Sequence, residues 1–391
     1  MANTTSTKNP KIVNQGRNIP IDLLETEILP RLPIQSLLRL KLVSKQWLAT
    51  ISSPQFTELM HLHRSISSQR GTFLLESSNG TLYFLDQAIM LGSNSKDAVI
   101  RRELNPYHGP NGQEIRLIDS SNGLICLAID NDKFCLFNPA TRVCREEIFP
   151  IKWGEKFYFY LWAFGYSTTR DEYKLLYVDR LSHLPKAHVY TLRSSDDLHN
   201  WRDLSVEDAL RPYCFYSQSV GNFINEKVHW ILRRQKTKRY KGGLCILAFD
   251  LTSETFNEIS LPRFCRGNFF ICDIDQNLSV CHQLQEDNSC YLEVWMMKRY
   301  GVSQSWSRIY NFDLRQNPVT DQLTNMIMSS NSCDITSEGG KLFFAVSDTE
   351  VLLVKDLNVR QPSYFKVLLD NNYAVRSIRR HVNSFVSPFL C

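Results

Sequence analysis

Residues 19–56 read IPIDLLETEILPRLPIQSLLRLKLVSKQWLATISSPQF, and this stretch decides the fold of the amino-terminal part of the chain. Its apolar residues recur every three or four positions, as on one face of a helix, and its prolines mark helix ends. Pro20 suits a first helical turn, and the carboxylates after it favour the positive end of a helix dipole. Because Pro30 lacks an N–H group, we expect the first helix to kink or fray before Leu32.

A second helical stretch follows Pro33 and carries two apolar stripes. The first stripe comprises Leu37, Leu40, Ser44, Trp47 and Ile51. The second stripe comprises Leu38, Leu42 and Leu48. Two apolar faces exceed what a lone helix pair can cover, and a segment of about 40 residues is at the lower size limit for folding alone. We therefore expect a partner surface. The alternative is a helical cap that packs on the rest of this chain, and periodicity does not separate the two.

The order of short motifs favours the partner. Ile-Pro is followed by Ile-Leu-x-Arg-Leu-Pro, then by Ser-Leu-Leu-Arg-Leu-x-x-Val-Ser-Lys-x-Trp and finally by Ile-Ser-Ser-Pro-x-Phe. This order resembles the F-box consensus, with Ile19 where Leu is usual and Ser44 where Cys is common. The resemblance implies docking on a Skp-type adaptor, which links F-box proteins to cullin and RING subunits. The positions that it assigns to docking, or in part to holding the helices together, are Pro20, Ile28, Leu32, Pro33, Leu37, Leu40, Val43 and Trp47.

Composition indicates a globular chain of 391 residues, because 43% are hydrophobic and 12% are aromatic. We expect a disordered tail at 1–17, an F-box helical domain of three helices at 18–65 and a β domain at 70–391. The tail lacks the apolar core of a signal peptide, and no later apolar run approaches the roughly 18 residues of a membrane span. We therefore expect no membrane association and a cytoplasmic or nuclear location.

Eleven cysteines are present, but no C-x-x-C pair occurs. Two sets recur at nine-residue steps that fit no zinc signature, Cys126, Cys135 and Cys144, and Cys272, Cys281 and Cys290. In a reducing compartment we expect buried free thiols, with no metal and no cofactor. His61 and His63 stand two apart on a predicted helix and read as ordinary surface or interface residues.

From about residue 72 the pattern changes to short aromatic and β-branched runs between turn residues, which predicts strands. The predicted strands are Thr72–Leu75, Thr81–Leu85, Leu124–Ala128, Phe134–Phe137, Tyr173–Val178, His188–Leu192, Lys227–Leu232, Leu244–Phe249, Leu278–His282, Tyr291–Met296, Lys341–Val346 and Val351–Lys355. No long helix is predicted in this region.

Three segments share one design of turn, strand, polar connection, second strand and Asn or Asp exit: 120–142, 224–254 and 337–360. With weaker exits near Leu85, Leu192 and Trp295, the exits are about 45 to 61 residues apart. A four-stranded blade needs about 40 to 50 residues, so this loose spacing favours one blade for each unit. We predict an antiparallel six-bladed β-propeller, closed by a final strand at Val382–Val386, with a β-sandwich pair as the alternative. Gly-Gly occurs at two places and not once per unit, which argues against a kelch propeller proper.

Four motifs extend the resemblance to the plant F-box-associated (kelch-like) domain. They are SSNGLICL (120–127), NPATR (138–142), FGYSTTRDEYKLL (164–176) and LAFDLTSETFNEISLP (247–262). Asn-Gly and Asn-Pro are turn formers, so these motifs mark blades and not a site. The resemblance implies that the β domain captures a target protein for ubiquitination, and it does not name the target or its pathway.

One basic run stands out between two strands, RRQKTKRYK at 233–241. Its candidate target-binding residues are Arg233, Arg234, Lys236, Lys238, Arg239 and Lys241. The functional readings are a surface for an acidic target or a nuclear-import signal, and the plain alternative is a solvated hairpin loop. Arg376, Arg379 and Arg380 are candidates to extend the basic surface.

A net charge of +5 is slight for this length, and basic and aromatic residues are not interleaved as in nucleic-acid-binding modules, so we expect no nucleic-acid partner. The sequence thus predicts a non-catalytic substrate-recognition subunit of an SCF-type ubiquitin ligase. Two alternatives stay open. One is an F-box protein that acts without ubiquitin transfer, and the other is a propeller enzyme, for which we find no paired carboxylates or metal ligands.

Overall fold

The structure is a computed structural model that divides into two compact units, Met1–Gln69 and Arg70–Cys391. The residues that it describes are 19–32, 34–53, 55–56, 59–60, 72–85, 97–100, 114–130, 132–150, 160–179, 185–192, 201–215, 220–236, 242–262, 269–286, 289–313, 333–338, 340–346, 351–357, 364–369, 374–382 and 384–389. The predicted tail at 1–17, Pro33, and the histidines at 61 and 63 lie outside these ranges.

The first unit is a small helical module. Its elements are α1 (Ile21–Leu23), a π-helical turn (Leu24–Ile28), a 3-10 turn (Leu29–Arg31), α2 (Ile34–Leu40) and α3 (Lys45–Ser52). The helical geometry changes near Pro30, where the sequence predicts a kink or fraying. The N–H of Leu29 bonds to the carbonyl of Leu24, five residues back, and Pro30 then sits in the 3-10 turn. A wider turn thus accommodates the missing donor, as predicted from the proline.

The stretch from Leu37 to Ile51 is not one helix. α2 ends at Leu40, and α3 begins after Ser44, whose hydroxyl accepts a hydrogen bond from the N–H of Trp47 at 3.1 Å. Ser44 therefore caps α3, and our placement of it inside an apolar stripe was wrong. Ser is among the best N-cap residues, and its short side chain satisfies a backbone donor that would otherwise be orphaned.

The core of the module is already filled by its own side chains. The buried residues are Leu29, Ile34, Leu37, Ile51, Phe56 and Met60. Thr50 of α3 donates a hydrogen bond to the Glu25 carboxylate at 2.9 Å, which ties α3 to the π-helical turn. Apolar side chains that remain outside this core are therefore surplus to its internal packing.

The second unit is a mainly antiparallel β domain of five sheets among the described residues. The closing sheet contains β1 (Thr72–Ser77), β2 (Leu82–Leu85) and β25 (Val375–His381). The first sheet contains β4 (Ile115–Ser121), β5 (Leu124–Ile129), β6 (Lys133–Asn138) and β7 (Val143–Ile148). The second sheet contains β8 (Tyr160–Ser167), β9 (Glu172–Asp179), β10 (Lys186–Leu192) and β11 (Trp201–Leu204).

Two further sheets complete the domain. The third contains β12 (Tyr213–Phe215), β13 (Asn222–Ile224), β14 (Lys227–Arg234), β15 (Gly243–Asp250) and β16 (Phe256–Ile259), and helix α4 (Glu207–Leu210) precedes it. The long sheet contains β17 (Phe269–Ile274), β18 (Asn277–Glu286), β19 (Ser289–Met297), β20 (Trp306–Asp313), β21 (Cys333–Glu338), β22 (Lys341–Val346), β23 (Val351–Asp356), β24 (Tyr364–Leu369) and β3 (Asp97–Ile100). All twelve predicted strands are present, eleven of them within two residues at their ends, and β18 runs four residues beyond the predicted end at His282.

The sheets follow one another in a propeller-like arrangement. β4 contacts β8, β8 contacts β13 and β14, and both of these contact β17. β17 pairs in parallel with β21, which contacts β25, and β25 contacts β4 again. These contacts return to their starting strand, as in a ring of blades and not as in the β-sandwich pair that we kept as the alternative. The count of six blades stays a prediction.

Neighbouring inner strands of this ring run in the same direction where they pair: β17 is parallel to β21, and Trp162 of β8 forms a parallel bridge with Val220, which precedes β13. The turns at their ends therefore lie at one end of the domain. We call it the first rim, and it comprises the turns 122–123, 168–171, 225–226 and 275–276. β14 ends and β15 begins at the opposite end, which we call the second rim.

The strand that closes the ring is β25, and our prediction of Val382–Val386 was wrong. β25 pairs with β1 from Thr72 opposite His381 to Ser77 opposite Val375. The described residues after it form no strand but pack on the first sheet. The amide of Asn138 donates to the carbonyls of Ser384 and Val386 at 3.0 and 2.7 Å, so a turn residue of the NPATR motif anchors the carboxyl-terminal segment.

Several of the cysteines occupy the core, as expected. Cys126, Cys135, Cys245, Cys272 and Cys281 are buried free thiols. Burial raises the pKa of the Cys126 and Cys281 thiols well above its ordinary value, because the thiolate would lose its hydration. These side chains therefore act as small apolar residues. Cys144 and Cys214 are exposed.

Candidate functional site

The helical module presents large apolar side chains to solvent. Those with at least a third of their surface exposed are Ile19, Ile21, Leu23, Ile28, Leu42, Val43 and Leu48. Leu42 is 88% exposed and Val43 is 67% exposed, in the turn between α2 and α3. The backbone of this turn is fixed, because the N–H groups of both residues bond to carbonyls of α2. An apolar pair held out on a rigid turn can anchor a partner.

The residues predicted for docking differ in their exposure to solvent. Pro20, Ile28 and Val43 are exposed, and Leu32, Leu40 and Trp47 are half-buried. Leu37 has no exposed surface and packs inside the module, so it belongs to the residues that hold the helices together. Pro33 lies outside the described residues. The exposed apolar positions that the docking set omitted are Ile19, Ile21, Leu23, Leu42 and Leu48. Of these, Leu42 and Leu48 belong to the second apolar stripe, which was the signal for them.

The described part of the basic run lies at the second rim. Arg233 and Lys236 are exposed, whereas Arg234 donates to the Glu258 carboxylate at 3.0 Å. Glu258 also accepts a hydrogen bond from the Tyr213 hydroxyl at 2.5 Å. Lys238, Arg239 and Lys241 lie outside the described residues. Arg234 therefore stabilises the end of the β14–β15 hairpin, and the Glu258 carboxylate largely compensates its charge.

Two arginines of β25, Arg376 and Arg379, do not extend the basic surface as expected. Arg376 contacts the Glu76 carboxylate at 3.5 Å, and it donates to the carbonyl of Ser78 at 2.7 Å. Arg379 is buried, 3.7 Å from the Asp119 carboxylate. These side chains join the closing sheet to its own turn and to the first sheet, which is a structural role.

A group of Ser, His and Asp side chains, of the kind that hydrolytic enzymes use, lies where β4 meets β25. Ser120 Oγ lies 2.7 Å from His381 Nδ1, and the Asp119 carboxylate accepts from the N–H of Ser120. Ser120 and His381 are both buried, so a substrate has no access to the hydroxyl. The hydrogen bonds explain the trio as a packed polar contact between β4 and β25.

Within the described ranges, no cluster of three or more His, Cys, Asp or Glu side chains is placed to hold a metal ion. No helix among the same residues is long and apolar enough to cross a membrane.

The sequence matches two families of known domains. Residues 18–59 match the F-box domain, and residues 73–391 match the F-box associated beta propeller domain. Among similar proteins, the F-box protein CPR1 of Arabidopsis thaliana is 27% identical over 319 residues, which cover 75% of this chain and 72% of the relative. The F-box/kelch-repeat protein At3g23880 of the same plant is 25% identical over 302 residues, covering 75% of this chain and 79% of the relative.

Proposed function

The chain belongs to the F-box proteins that carry an F-box associated beta propeller domain, and from this membership we propose that it is the substrate-recognition subunit of an SCF-type (Skp–cullin–F-box) ubiquitin ligase. The helical module docks on a Skp-type adaptor, which connects it to the cullin and RING subunits. The β domain binds a target protein, which the RING-bound enzyme ubiquitinates for degradation by the proteasome. The chain itself is a non-catalytic adaptor, and it works in the cytoplasm or the nucleus.

The exposed pair Leu42 and Val43 carries the docking part of the proposal. Leu37 fills the core of the same module, so the exposed pair is not needed for internal packing. Covering a Leu or Val side chain contributes about 1.5–3 kcal/mol, and a standard interface buries about 800 Å² on each partner. The further exposed residues Ile21, Leu23 and Ile28 supply apolar surface of the same kind. We assign the docking surface to these residues with Pro20.

We also propose that the kelch-like ring has six blades. The exits that suggested this number, near Leu85, Asn138, Leu192, Asp250, Trp295 and Asp356, fall on β2, β6, β10, β15, β19 and β23. Each of these strands belongs to a different run of consecutive antiparallel strands. The long sheet then represents two blades that meet at the parallel pair β17 and β21, and the closing sheet is the blade shared by the two ends of the domain.

Reconstitution tests the function. The full chain is co-expressed with a Skp-type adaptor, a cullin and a RING subunit, and the proteins held by the intact chain and by a variant lacking 18–59 are compared in cells with the proteasome blocked. We expect the ligase subunits to be lost with the F-box and the targets to be retained. Retained targets that gain ubiquitin only with the intact chain support the proposal. Binding without ubiquitin transfer would favour the alternative of an F-box interaction protein.

A further inference from the structure

We propose that Ser44 is a phosphorylation site, and that its phosphate prevents the helical module from docking on the adaptor. This inference rests on the proposed function, because it names a regulation of the same docking surface. The modifying enzyme is a protein kinase that selects serines preceded by basic residues, and the phosphate donor is ATP.

Ser44 stands in the exposed turn that carries the docking pair. It directly follows Leu42 and Val43, and it is itself exposed. Its backbone is extended, with φ of −154° and ψ of 156°. Its hydroxyl oxygen accepts a hydrogen bond from the N–H of Trp47 at 3.1 Å. This bond uses a lone pair and leaves the hydroxyl proton available for transfer, so the group can act as a nucleophile.

The other described serines of the module are less suited to a kinase. Ser36 lies inside α2 and is half-buried, and Ser52 is exposed but lies in the last turn of α3. The hydroxyl of Ser53 donates to the carbonyl of Thr50 at 2.8 Å, so its proton is engaged. Kinases bind the segment around the modified serine in an extended form. Ser44 combines exposure with an extended backbone, and it therefore requires the least rearrangement.

The charges along this part of the chain favour both the kinase and the phosphate. Residues 28–57 contain four cations and no acidic residue. The cations are Arg31, Arg39, Lys41 and Lys45. Lys41 lies three positions before Ser44, whereas the nearest cation before Ser52 is Lys45, seven positions away. Arg39 and Lys45 are exposed. A kinase whose substrate groove carries carboxylates is attracted to such a segment, and the cations also attract the added phosphate.

The transfer forms one bond and breaks one. Ser44 Oγ attacks the γ-phosphorus of magnesium-bound ATP, the bond from that phosphorus to its bridging oxygen breaks, and ADP leaves. The hydroxyl proton passes to a carboxylate of the kinase. The resulting phosphate carries a charge of about −1.5 to −2 at pH 7. A strong negative charge then lies next to the apolar pair Leu42 and Val43.

The phosphate opposes docking without unfolding the module. It lies before the first turn of α3, an eight-residue helix whose positive end is compatible with a negative group. A partner that covers Leu42 and Val43 would instead remove the adjacent phosphate from water, which is costly for a charge without a matching cation. A phosphorylated chain therefore stays free of the adaptor, and a docked chain is protected from the kinase.

The first test uses two substitutions that keep the helix cap and differ by one charge. Asn and Asp cap helices about as well as Ser, so Ser44→Asn and Ser44→Asp both preserve the bond from the N–H of Trp47. Calorimetric titration of a Skp-type adaptor into the full chain compares them with the wild type. We expect S44N to bind within about threefold of the wild type and S44D to bind at least about tenfold more weakly.

Thermal unfolding of the free full chain controls for folding. S44D should be no less stable than S44N, because a carboxylate is favoured at the positive end of α3. A binding loss in S44D that comes with a lower melting temperature than that of S44N would assign the loss to unfolding and would overturn the regulation.

A labelling experiment tests the modification itself. The free full chain and its complex with the adaptor are incubated with ATP and a calcium-dependent protein kinase of the basic-directed class, and mass spectrometry identifies the modified residues. We expect phosphate on Ser44 of the free chain, protection of Ser44 in the complex, and no phosphate on Ser52. The phosphorylated chain should bind the adaptor more weakly than S44D, because the phosphate carries more charge.

Three results would contradict the inference. Equal adaptor binding by S44D and S44N would overturn the regulation and leave the docking function in place. Absence of phosphate on Ser44 of the free chain, or equal labelling of Ser52, would overturn the site. Absence of adaptor binding by the wild type would refute the proposed function and the regulation together, whereas phosphate on Ser44 of the same protein would still establish the site.

Discussion

Ser120 Oγ lies 2.7 Å from His381 Nδ1, although the two residues are 261 positions apart in the chain. The contact joins β4 of the first sheet to β25, the last strand of the domain. Both side chains are buried, and Arg379 of the same strand approaches Asp119 next to Ser120. The ring is therefore closed by buried polar contacts together with strand pairing, and its stability depends on the carboxyl-terminal segment.

The close approach of this segment explains Gly123. Its φ is +86°, and a Cβ atom placed on it would lie 1.8 Å from Ser384 Oγ. We predict that Gly123→Ala lowers the free energy of unfolding by about 2–5 kcal/mol, the sum of left-handed backbone strain and overpacking. Urea unfolding followed by tryptophan fluorescence measures it.

Gly301→Ala is the matched control, because Gly301 has a φ of +76° with nothing within 4 Å of an added Cβ. It should cost about 1–2 kcal/mol, from backbone strain alone. Equal costs at the two glycines would show that Ser384 does not press on Gly123.

His229 makes the stability depend on pH. It is buried, its Nδ1 lies 3.2 Å from the carbonyl of Asn222, and its Nε2 lies 2.7 Å from the Tyr300 hydroxyl. A carbonyl accepts only, so Nδ1 donates and the neutral ring accepts from Tyr300 at Nε2. Burial lowers the pKa of His229 from 6.5 to about 4.

Between these two values the unfolded chain binds more protons than the folded chain, so the stability is complete above about pH 6.5 and falls as the pH approaches 4. We predict a loss on the order of 1–2 kcal/mol between pH 7 and pH 5 for the wild type. His229→Gln should be less stable at pH 7 and should lose less between the two values. An unchanged pH slope in this variant would contradict the assignment.

Lys174 is a buried cation between the second and third sheets. Its side chain is 1% exposed and lies 2.7 Å from the Glu172 carboxylate and 2.8 Å from the Glu254 carboxylate. Lys174→Met leaves the buried Glu172 without its main counter-charge, and we predict a destabilisation of about 3–5 kcal/mol. The double variant E172Q/K174M should be more stable than K174M, because the orphaned charge is removed. If the double variant is the less stable of the two, the pair is not coupled.

Residue patterns predicted much of the β domain because local chemistry decides it. β5 is buried along its whole length and β9 at all but its last residue, and their aromatic and β-branched residues reveal them. Asn122 and Gly123 both have positive φ, as the turn chemistry requires. The carboxyl-terminal strand was missed because β25 looks polar, and its Arg376 and His381 find Glu76 and Ser120 hundreds of residues away. No local pattern carries such a partner.

In the candidate site, too, some features follow from the local sequence and others depend on tertiary contacts. Apolar surplus in 19–56 predicted a docking surface, but periodicity did not separate the buried Leu37 from the exposed Leu42. That separation depends on the break at Ser44, where a side-chain cap ends the stripe. At the second rim, composition identified the basic run, but the pairing of Arg234 with Glu258 depends on the register of β14, β15 and β16.

Calorimetric titration of a Skp-type adaptor into the full chain tests the central claim most directly. The wild type is compared with L42D/V43D, which puts charges on the exposed turn, and with I148D, which does the same at an equally exposed apolar residue of β7. The account predicts submicromolar binding by the wild type and I148D, and a loss of at least about a hundredfold in L42D/V43D, since burying unpaired charges in an interface costs several kcal/mol. Equal affinity of L42D/V43D and the wild type would contradict the docking surface, and absence of binding by the wild type would contradict the proposed function.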